Sequence, residues 1–261
     1  MKRRNRQPGV MAISEGELSV MTSDLEQIHN DVGMPAMNRA IREWNERSHM
    51  SRRGFLIGAG AVAGGAVLAA CSSGSSSSTS TTSGTSGATT SSKLTGDLAV
   101  AALAASLENL AVAAYGDVLT AATAGKLGTV PPAVATFATT VKGQHMQHAQ
   151  AWNSAIVAAG HQPIAGPDPV LTPIITADFA KVTDVAGAAK LALMLEDVAA
   201  ATYQSAVSAV TATSSIKVAA SIQPVEMQHA AILNFVLGQY PVPNAFSPLA
   251  SARPLTDYTR G

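Results

Sequence analysis

Residues 145–149 have the sequence His-Met-Gln-His-Ala, and residues 226–230 repeat it as Glu-Met-Gln-His-Ala. In both copies an asparagine follows five positions after the last histidine, at Asn153 and Asn234. Two residues of each copy are able to bind metal ions, and both lie within a long apolar stretch. The repeat therefore suggests that two parts of the chain contribute equivalent polar groups to one site.

A second repeat lies upstream of each copy. Leu-Glu is followed by a tyrosine seven positions after the glutamate, first as Glu108 with Tyr115 and then as Glu196 with Tyr203. A separation of seven residues is two helical turns, so glutamate and tyrosine share one helix face. The chain is an internal duplication of two α-hairpins that carry the same elements in the same order.

Helix start and stop signals divide residues 96–240 into four long helical segments. The predicted segments run from Asp97 to about Ala124, from Pro131-Pro132 to Gly160, from Asp184 to near Thr211, and from Ser214 or Ser215 to near Gly238. Asp97, Asp184 and Ser214 or Ser215 are the expected N-caps of the first, third and fourth segments. The first and third connections are short, and the second is long and proline-rich, with a helical turn expected near residues 174–181. This pattern predicts an all-α antiparallel four-helix bundle with one long crossover between helices two and three.

Six polar residues lie on the apolar stripes of these helices at 100° per residue. They are Glu108, His145, His148, Glu196, Glu226 and His229. They include all three glutamates and three of the four histidines that follow Cys71. Their similar distances from the helix starts place them near the middle of the bundle. Since charged groups are rarely buried without a partner, we expect them to hold a cation.

At these positions the chain resembles the ferritin-like superfamily, in particular small secreted members with a twin-arginine leader. The resemblance covers residues 96–240 and implies the ferritin-like form of the bundle. In that superfamily, two glutamates and two Glu-x-x-His motifs bind two metal ions. The resemblance implies that Glu108 and Glu196 are terminal carboxylates, that Glu226 and His229 form one Glu-x-x-His motif, and that His148 is the histidine of the other.

His145 departs from the family pattern, because it stands where the second motif has a glutamate that usually bridges the metals. Three carboxylates carry a charge of −3 instead of −4, and one imidazole nitrogen cannot bridge two metals. One metal position is therefore expected to be weakened or lost. The resemblance implies iron, in a mononuclear or di-iron centre, and an imidazole-rich donor set also suits manganese, zinc or copper.

Tyr115 and Tyr203 face the same side of their helices as the two glutamates. They have two interpretations: they hydrogen-bond to the ligands or carry redox chemistry from the second shell of the site, or they only pack in the core.

The region before the bundle carries an export signal. Arg52 and Arg53 form a twin-arginine pair that is followed by an uncharged apolar run, and residues 68–71, Leu-Ala-Ala-Cys, resemble a lipobox. Cys71 is the only cysteine, so it forms no internal disulfide. We expect twin-arginine export and a lipid anchor on Cys71 at the outer face of the cytoplasmic membrane or in the cell envelope. A plain signal peptide and a permanent membrane helix are the alternatives.

The remaining segments have little sequence signal. Residues 1–49 are a leader of unknown role or a mis-assigned start upstream of Met50, and 72–95 are a Ser/Thr/Gly-rich stretch expected to be a disordered tether. We therefore expect the fold to begin at residue 96. Residues 241–261 form a C-terminal tail without an assigned role.

Charge excludes one class of partner. The chain is formally neutral, and from residue 71 onward eight Lys and Arg face ten Asp and Glu, a formal charge of −2. There is no basic patch with interleaved aromatic residues, so nucleic acid is not expected as a partner. The sparse surface charge suits contact with another subunit in a homo-oligomer.

These observations predict an exported, lipid-anchored ferritin-like protein that binds one or two metal ions for iron oxidation or for peroxide and oxygen handling. One alternative is a metal-free structural or partner-binding envelope lipoprotein with a degenerate ferritin-like core. A third is the binding of a small ligand between the helices, which requires a cavity.

Overall fold

A computed structural model describes residues 13–46 and 94–256 of the protein. The predicted twin-arginine pair Arg52-Arg53, the lipobox cysteine Cys71 and all but the last two residues of the predicted tether lie outside the described residues. Within the described residues, every regular element is a helix. In chain order the helices are α1 (Glu15–Ile28), α2 (34–46), α3 (Asp97–Thr123), α4 (Pro132–Ala158), α5 (Leu171–Phe179), α6 (Val185–Ala209) and α7 (Thr213–Val236).

The four long helices α3, α4, α6 and α7 form the predicted bundle. α3 packs along α4, and α6 packs along α7, as the short connections require. The long crossover between α4 and α6 contains the short helix α5. The predicted fold class, a ferritin-like four-helix bundle with one long crossover, is confirmed.

Several predicted helix ends agree with the structure. Pro132 occupies the first turn of α4, and Asp184 caps α6 by accepting a hydrogen bond of 2.7 Å from the Gly187 N–H. Gly160 and Gly238 follow the ends of α4 and α7 with φ angles of 90° and 74°. Only glycine adopts such angles without strain, which explains why the helices end there.

Asp97 has a different role from the predicted one. Gly96, not Asp97, occupies the N-cap position of α3. The Asp97 carboxylate instead accepts hydrogen bonds from the Thr211 N–H at 2.9 Å, the Ala212 N–H at 2.9 Å and the Ser215 hydroxyl at 2.7 Å. It therefore secures the connection between α6 and α7. The predicted capping of α7 by Ser214 or Ser215 was wrong, because Ala212 occupies the N-cap position of α7 and no side chain caps this helix.

Two apolar clusters fill the two ends of the bundle. The Trp152 cluster includes Ala101, Ala105, Trp152, Ile156, Ala206 and Ile222. The Phe137 cluster includes Tyr115, Phe137, Val141, Ala192, Leu233 and Val236. The buried glutamates and histidines lie between the two clusters along each of the four helices. The bundle thus consists of a polar layer between two apolar ones.

The expectation that the fold begins at residue 96 is corrected by the packing of residues 13–46. α1 lies against α4 and α7. Ile13, Leu18 and Leu25 are buried in the Phe137 cluster. This packing favours a segment that belongs to the folded chain over an upstream stretch without a structural role.

α2 makes the corresponding contact at the other end of the bundle. Met37, Ala40 and Trp44 are buried in the Trp152 cluster, and the Trp44 ring lies edge-on to Trp152 with a centroid distance of 6.5 Å.

The buried face of α1 was not recognised from the sequence, because polar residues interrupt its row of apolar residues. Thr22 and His29 occupy buried positions on the face of Leu18 and Leu25.

α3 is, within the described part of the chain, the helix that is long and apolar enough to cross a membrane. In its most apolar stretch, 67% of the residues are buried inside the protein. Its composition is therefore that of a core helix of the bundle.

The C-terminal tail follows α6 up to the last described residues. The Arg253 N–H donates a hydrogen bond of 2.9 Å to the Thr202 hydroxyl, and the Arg253 guanidinium lies 3.4 Å from the Asp168 carboxylate. The Ser251 hydroxyl donates to the backbone carbonyl of Asp197 at 3.1 Å. These contacts attach the tail to the side of the bundle.

Candidate metal centre

All six predicted site residues are buried, and none is more than 2% exposed. α3 contributes Glu108, α4 contributes His145 and His148, α6 contributes Glu196, and α7 contributes Glu226 and His229. They form two overlapping groups, and in each group one ligand atom per residue lies within 4.8 Å of the others. The groups are Glu108, His145, His148 and Glu226, and His145, Glu196, Glu226 and His229. Each group is able to hold a metal ion.

His145 lies at the centre, between the two groups. Its Nδ1 is 2.7 Å from Glu108 Oε2, and its Nε2 is 3.3 Å from Glu196 Oε1. Burial alone would lower the pKa of His145, but the carboxylates of Glu226, Glu196 and Glu108 raise it well above its ordinary value. In the absence of a metal, the imidazolium therefore donates hydrogen bonds to two carboxylates and supplies part of the positive charge that they need.

Glu226 has the strongest need for a cation. Both of its carboxylate oxygens are buried without a hydrogen bond, as is His148 Nδ1. His148 Nδ1 lies 2.9 Å from Glu226 Oε1, but it is not aligned for a hydrogen bond. Buried polar atoms without a hydrogen bond are rare in folded proteins because the loss of their hydration is only partly compensated. A metal ion between these atoms would satisfy them, so the donor set fits a metal.

His229 is oriented by a residue that the sequence analysis missed. Its Nε2–H donates a hydrogen bond of 2.7 Å to Gln144 Oε1, while its Nδ1 lies 3.2 Å from Glu196 Oε2 and 3.3 Å from Glu226 Oε2. In a neutral imidazole this arrangement directs the Nδ1 lone pair to the carboxylates, as is usual for metal-binding histidines. The signal was available, because Gln144 lies at the edge of the apolar stripe of α4, one helical turn from Val141 and His148.

The two tyrosines bond to the glutamates of the opposite hairpins. The Tyr115 hydroxyl on α3 donates 2.5 Å to Glu196 Oε1 on α6, and the Tyr203 hydroxyl on α6 donates to Glu108 Oε1 on α3. Burial and the neighbouring glutamate raise the pKa of each tyrosine well above its ordinary value, so both stay protonated donors. The interpretation as hydrogen-bonding partners of the ligands agrees with this geometry.

His29 of the N-terminal segment also reaches the centre, and the sequence analysis assigned it no role. It is 3% exposed, and its ring centroid lies 5.4 Å from that of His148. Burial and the neighbouring His148 lower the pKa of His29 to about 4, so this imidazole is neutral. Only the tertiary packing of a segment that is distant in sequence brings it here.

The carboxylates and imidazoles shift one another's pKa values in opposite directions. Burial raises the pKa of Glu108, but His148 and His145 lower it to about 2. Burial lowers the pKa of His148, but Glu108 and Glu226 raise it to about 9. Ionised Glu108 thus faces protonated His148 near neutral pH, and the histidine proton supplies positive charge that a bound metal would otherwise supply.

An apolar pocket with a volume of about 50 Å³ lies at the Phe137 end of the bundle. Leu18, Tyr115 and Phe137 are among the residues that line it. This pocket is smaller than the ~300 Å³ or more that a small-molecule site occupies, and its apolar walls offer little to orient a polar ligand.

Comparison with known families agrees with this geometry. The model of the ferritin-like domain family matches residues 96–239, more than half of the chain. The chain belongs to the ferritin-like domain family. The match includes all four long helices of the ferritin-like bundle and all six buried ligand candidates. A search of curated proteins and a search of solved structures each gave no match.

Metal binding to this ferritin-like centre is expected to release protons. His148 must lose its proton to bind a metal, and that proton is held up to a pKa of about 9. The affinity for Co²⁺ should therefore rise as the pH increases from 6.5 to about 9. Titration calorimetry in two buffers of different ionisation enthalpy should detect release of about one proton or more per ion. A pH-independent affinity without proton release would contradict this account.

His145 is expected to limit the number of metal ions. Replacing it with glutamate, H145E, restores the carboxylate that the family uses as a bridge, and should raise the bound metal above that of the natural chain, to about two ions per chain. The metal-free variant should also unfold at a lower temperature, because four carboxylates then share two imidazoles. Elemental analysis and thermal unfolding measure both effects.

H161E is the matched control, because His161 follows the end of α4 and is partly exposed. It should bind as much metal as the natural chain. An unchanged metal content in H145E would show that His145 does not set the stoichiometry.

Proposed function

We propose that this ferritin-like protein holds one or two metal ions, with iron as the physiological metal, and uses them for iron oxidation or for peroxide and oxygen handling. The observation that carries the proposal is the Glu226 carboxylate, which is fully buried, accepts no hydrogen bond and lies among three imidazoles and two other carboxylates. A structural carboxylate would normally be hydrogen-bonded at such a position.

The composition of the donor set supports iron. Three carboxylates exceed the charge of one divalent ion and offset most of the charge of two, and three imidazoles complete a mixed nitrogen and oxygen environment that suits iron, manganese or zinc. A bound iron ion would supply one-electron chemistry with dioxygen or peroxide. Iron also fits the ferritin-like fold.

The residues around the ligands have separate tasks. Tyr115 and Tyr203 hold the Glu196 and Glu108 carboxylates in place, and Gln144 orients His229. The two apolar clusters exclude bulk water above and below the polar layer. His145 and His148 are able to take up protons when the metal leaves, because the surrounding carboxylates favour their charged forms.

A metal-free structural role is the second candidate, and one observation favours it. The three glutamates face three histidines whose pKa values the carboxylates raise, so the centre is close to electrically balanced with protons alone. A bundle of this kind could fold without metal and serve as a scaffold or a partner-binding lipoprotein. Stability to a chelator distinguishes the candidates, because a ligand that binds only the folded state raises the unfolding temperature.

Metal content is the first test of the proposal. The purified natural chain should contain one or two equivalents of iron or manganese by elemental mass spectrometry, and chelation should lower its unfolding temperature. The double variant E108A/E226A should lose bound metal, because each metal-binding group loses at least one carboxylate.

D117A is the control for removal of a carboxylate, since Asp117 is exposed on α3, away from the centre. It should retain full occupancy. Full occupancy in E108A/E226A, or no metal in the natural chain after reconstitution with ferrous iron, would exclude the metal centre and favour the scaffold.

We also propose that the protein is exported through the twin-arginine route and is anchored by lipid at Cys71 to the outer face of the cytoplasmic membrane. The support is the order of the sequence features, with Arg52-Arg53, an apolar run and a lipobox in succession. Export in the folded state suits a bundle that is loaded with metal before translocation.

Replacing the only cysteine tests the anchor. In C71A the protein should move from the membrane fraction to the soluble fraction, because the acyl chains that bind the bilayer are missing. R52K/R53K should instead keep the chain in the cytoplasm. Membrane association that persists in C71A would argue against the lipid anchor.

A further inference from the structure

A π-helical turn lies between α1 and α2, at the height of the candidate metal centre. It spans His29–Gly33, and the Met34 N–H bonds back to the His29 carbonyl. Pro35 follows directly and lacks the amide hydrogen that a regular helix would use there. Such turns change the face on which side chains project and are frequent at functional sites. Here the turn accompanies the burial of His29 against the centre.

His29 is held there by two contacts. Its Nε2–H donates a hydrogen bond of 2.7 Å to Gln147 Oε1 on α4, and its ring lies against the His148 ring. The N-terminal segment therefore covers the side of the centre on which His148 lies.

The internal duplication explains why that side needs a cover. Within the bundle, Gln144 shields His229 and bonds to its Nε2. The equivalent position on α7, directly before Glu226, is Val225, which offers no hydrogen bond to His148. The two halves of the centre are thus asymmetric: one is closed from within the bundle, and the other is closed by His29.

Both helices of the segment, α1 and α2, hold it against the bundle. Leu18 and Leu25 of α1 are 1% and 3% exposed in the Phe137 cluster, and Met37 of α2 is 2% exposed in the Trp152 cluster. Lys217 of α7 also forms a salt bridge of 2.8 Å with Glu43. Apolar contacts at both ends, with a polar residue between them, indicate a specific docked position.

We propose that residues 13–46 are a detachable cap that closes the metal centre on the His148 side and controls the access of metal ions to it. The control of metal access rests on the proposed metal-binding function, but the docking of the segment on the bundle does not depend on metal.

The position of the predicted export signal provides a route by which the cap is removed. The twin-arginine pair and Cys71 lie between the cap and the bundle in the sequence. Signal cleavage before Cys71 would sever the cap from the mature protein. The precursor would then be the closed form, which retains metal during folding, and the mature lipoprotein would be the open form, which exchanges ions with its surroundings.

The test uses the full chain carrying C71A, with one further substitution in α1. L25D places a charge in the buried interface between cap and bundle, so it should release the cap without altering the bundle. V20D is the matched control, because Val20 is on the same helix and 61% exposed.

Two measurements are made on each variant. One is the rate at which EDTA removes Co²⁺ from the loaded protein, and the other is amide hydrogen exchange of residues 144–152 in the metal-free protein. L25D should raise the extraction rate at least about tenfold and speed hydrogen exchange of residues 144–152 on α4, since loss of the docked segment lowers the free energy of local opening there. V20D should leave both unchanged.

The outcomes separate the two proposals. Equal extraction and exchange in L25D and V20D would overturn the cap. If no variant binds Co²⁺, the proposed metal function fails, while hydrogen exchange still decides whether the segment is a cap.

If L25D fails to fold, a protease site inserted between residues 72 and 92 allows the folded chain to be cut before the same measurements. Unchanged exchange on α4 after removal of the freed segment would then overturn the cap.

Discussion

The burial of three carboxylates at the middle of an apolar bundle is the constraint on which the rest of the structure depends. An ionised carboxylate loses its hydration there, and only positive charge and hydrogen bonds compensate for the loss. Histidines and tyrosines from the opposite helices supply both around Glu108 and Glu196. Glu226 receives only incomplete compensation, because neither of its oxygens has a hydrogen bond. This deficit is the feature that a bound metal ion would remove, and it is the support for the proposed metal centre.

The duplication brings near-symmetry, and the departures from it carry the specific properties of this chain. The crossed bonds of Tyr115 and Tyr203 tie each hairpin to the other, so the glutamates are placed relative to one another by both halves. His145 and Glu226 occupy equivalent positions in the two halves, so the symmetry is broken there. The His145 imidazolium contacts two carboxylates, one through each ring nitrogen. An extra cationic group lowers the demand for a second metal ion.

The N-terminal segment packs on the outside of the bundle, beside the half of the centre that contains His148. It adds apolar contacts to both clusters and places His29 beside His148. A helix that packs on a bundle from outside has a smaller interface than the core helices, and elements of this kind open at lower free energy than the rest of the fold. The centre is therefore expected to be least protected on the side that the segment covers.

The sequence by itself determined the four bundle helices, their order and the inward positions of the six ligand candidates. These features are local: helical periodicity, proline and glycine at helix ends, and the repeated Met-Gln-His-Ala pattern depend on residues close in the chain. Tertiary structure alone decided which groups pair. Asp97 secures a connection more than 100 residues away instead of its own helix, and Gln144 and His29 reach the centre through packing. The segment 13–46 was missed because Thr22 and His29 interrupt its apolar stripe, and a buried polar residue is recognisable only once its partners are present.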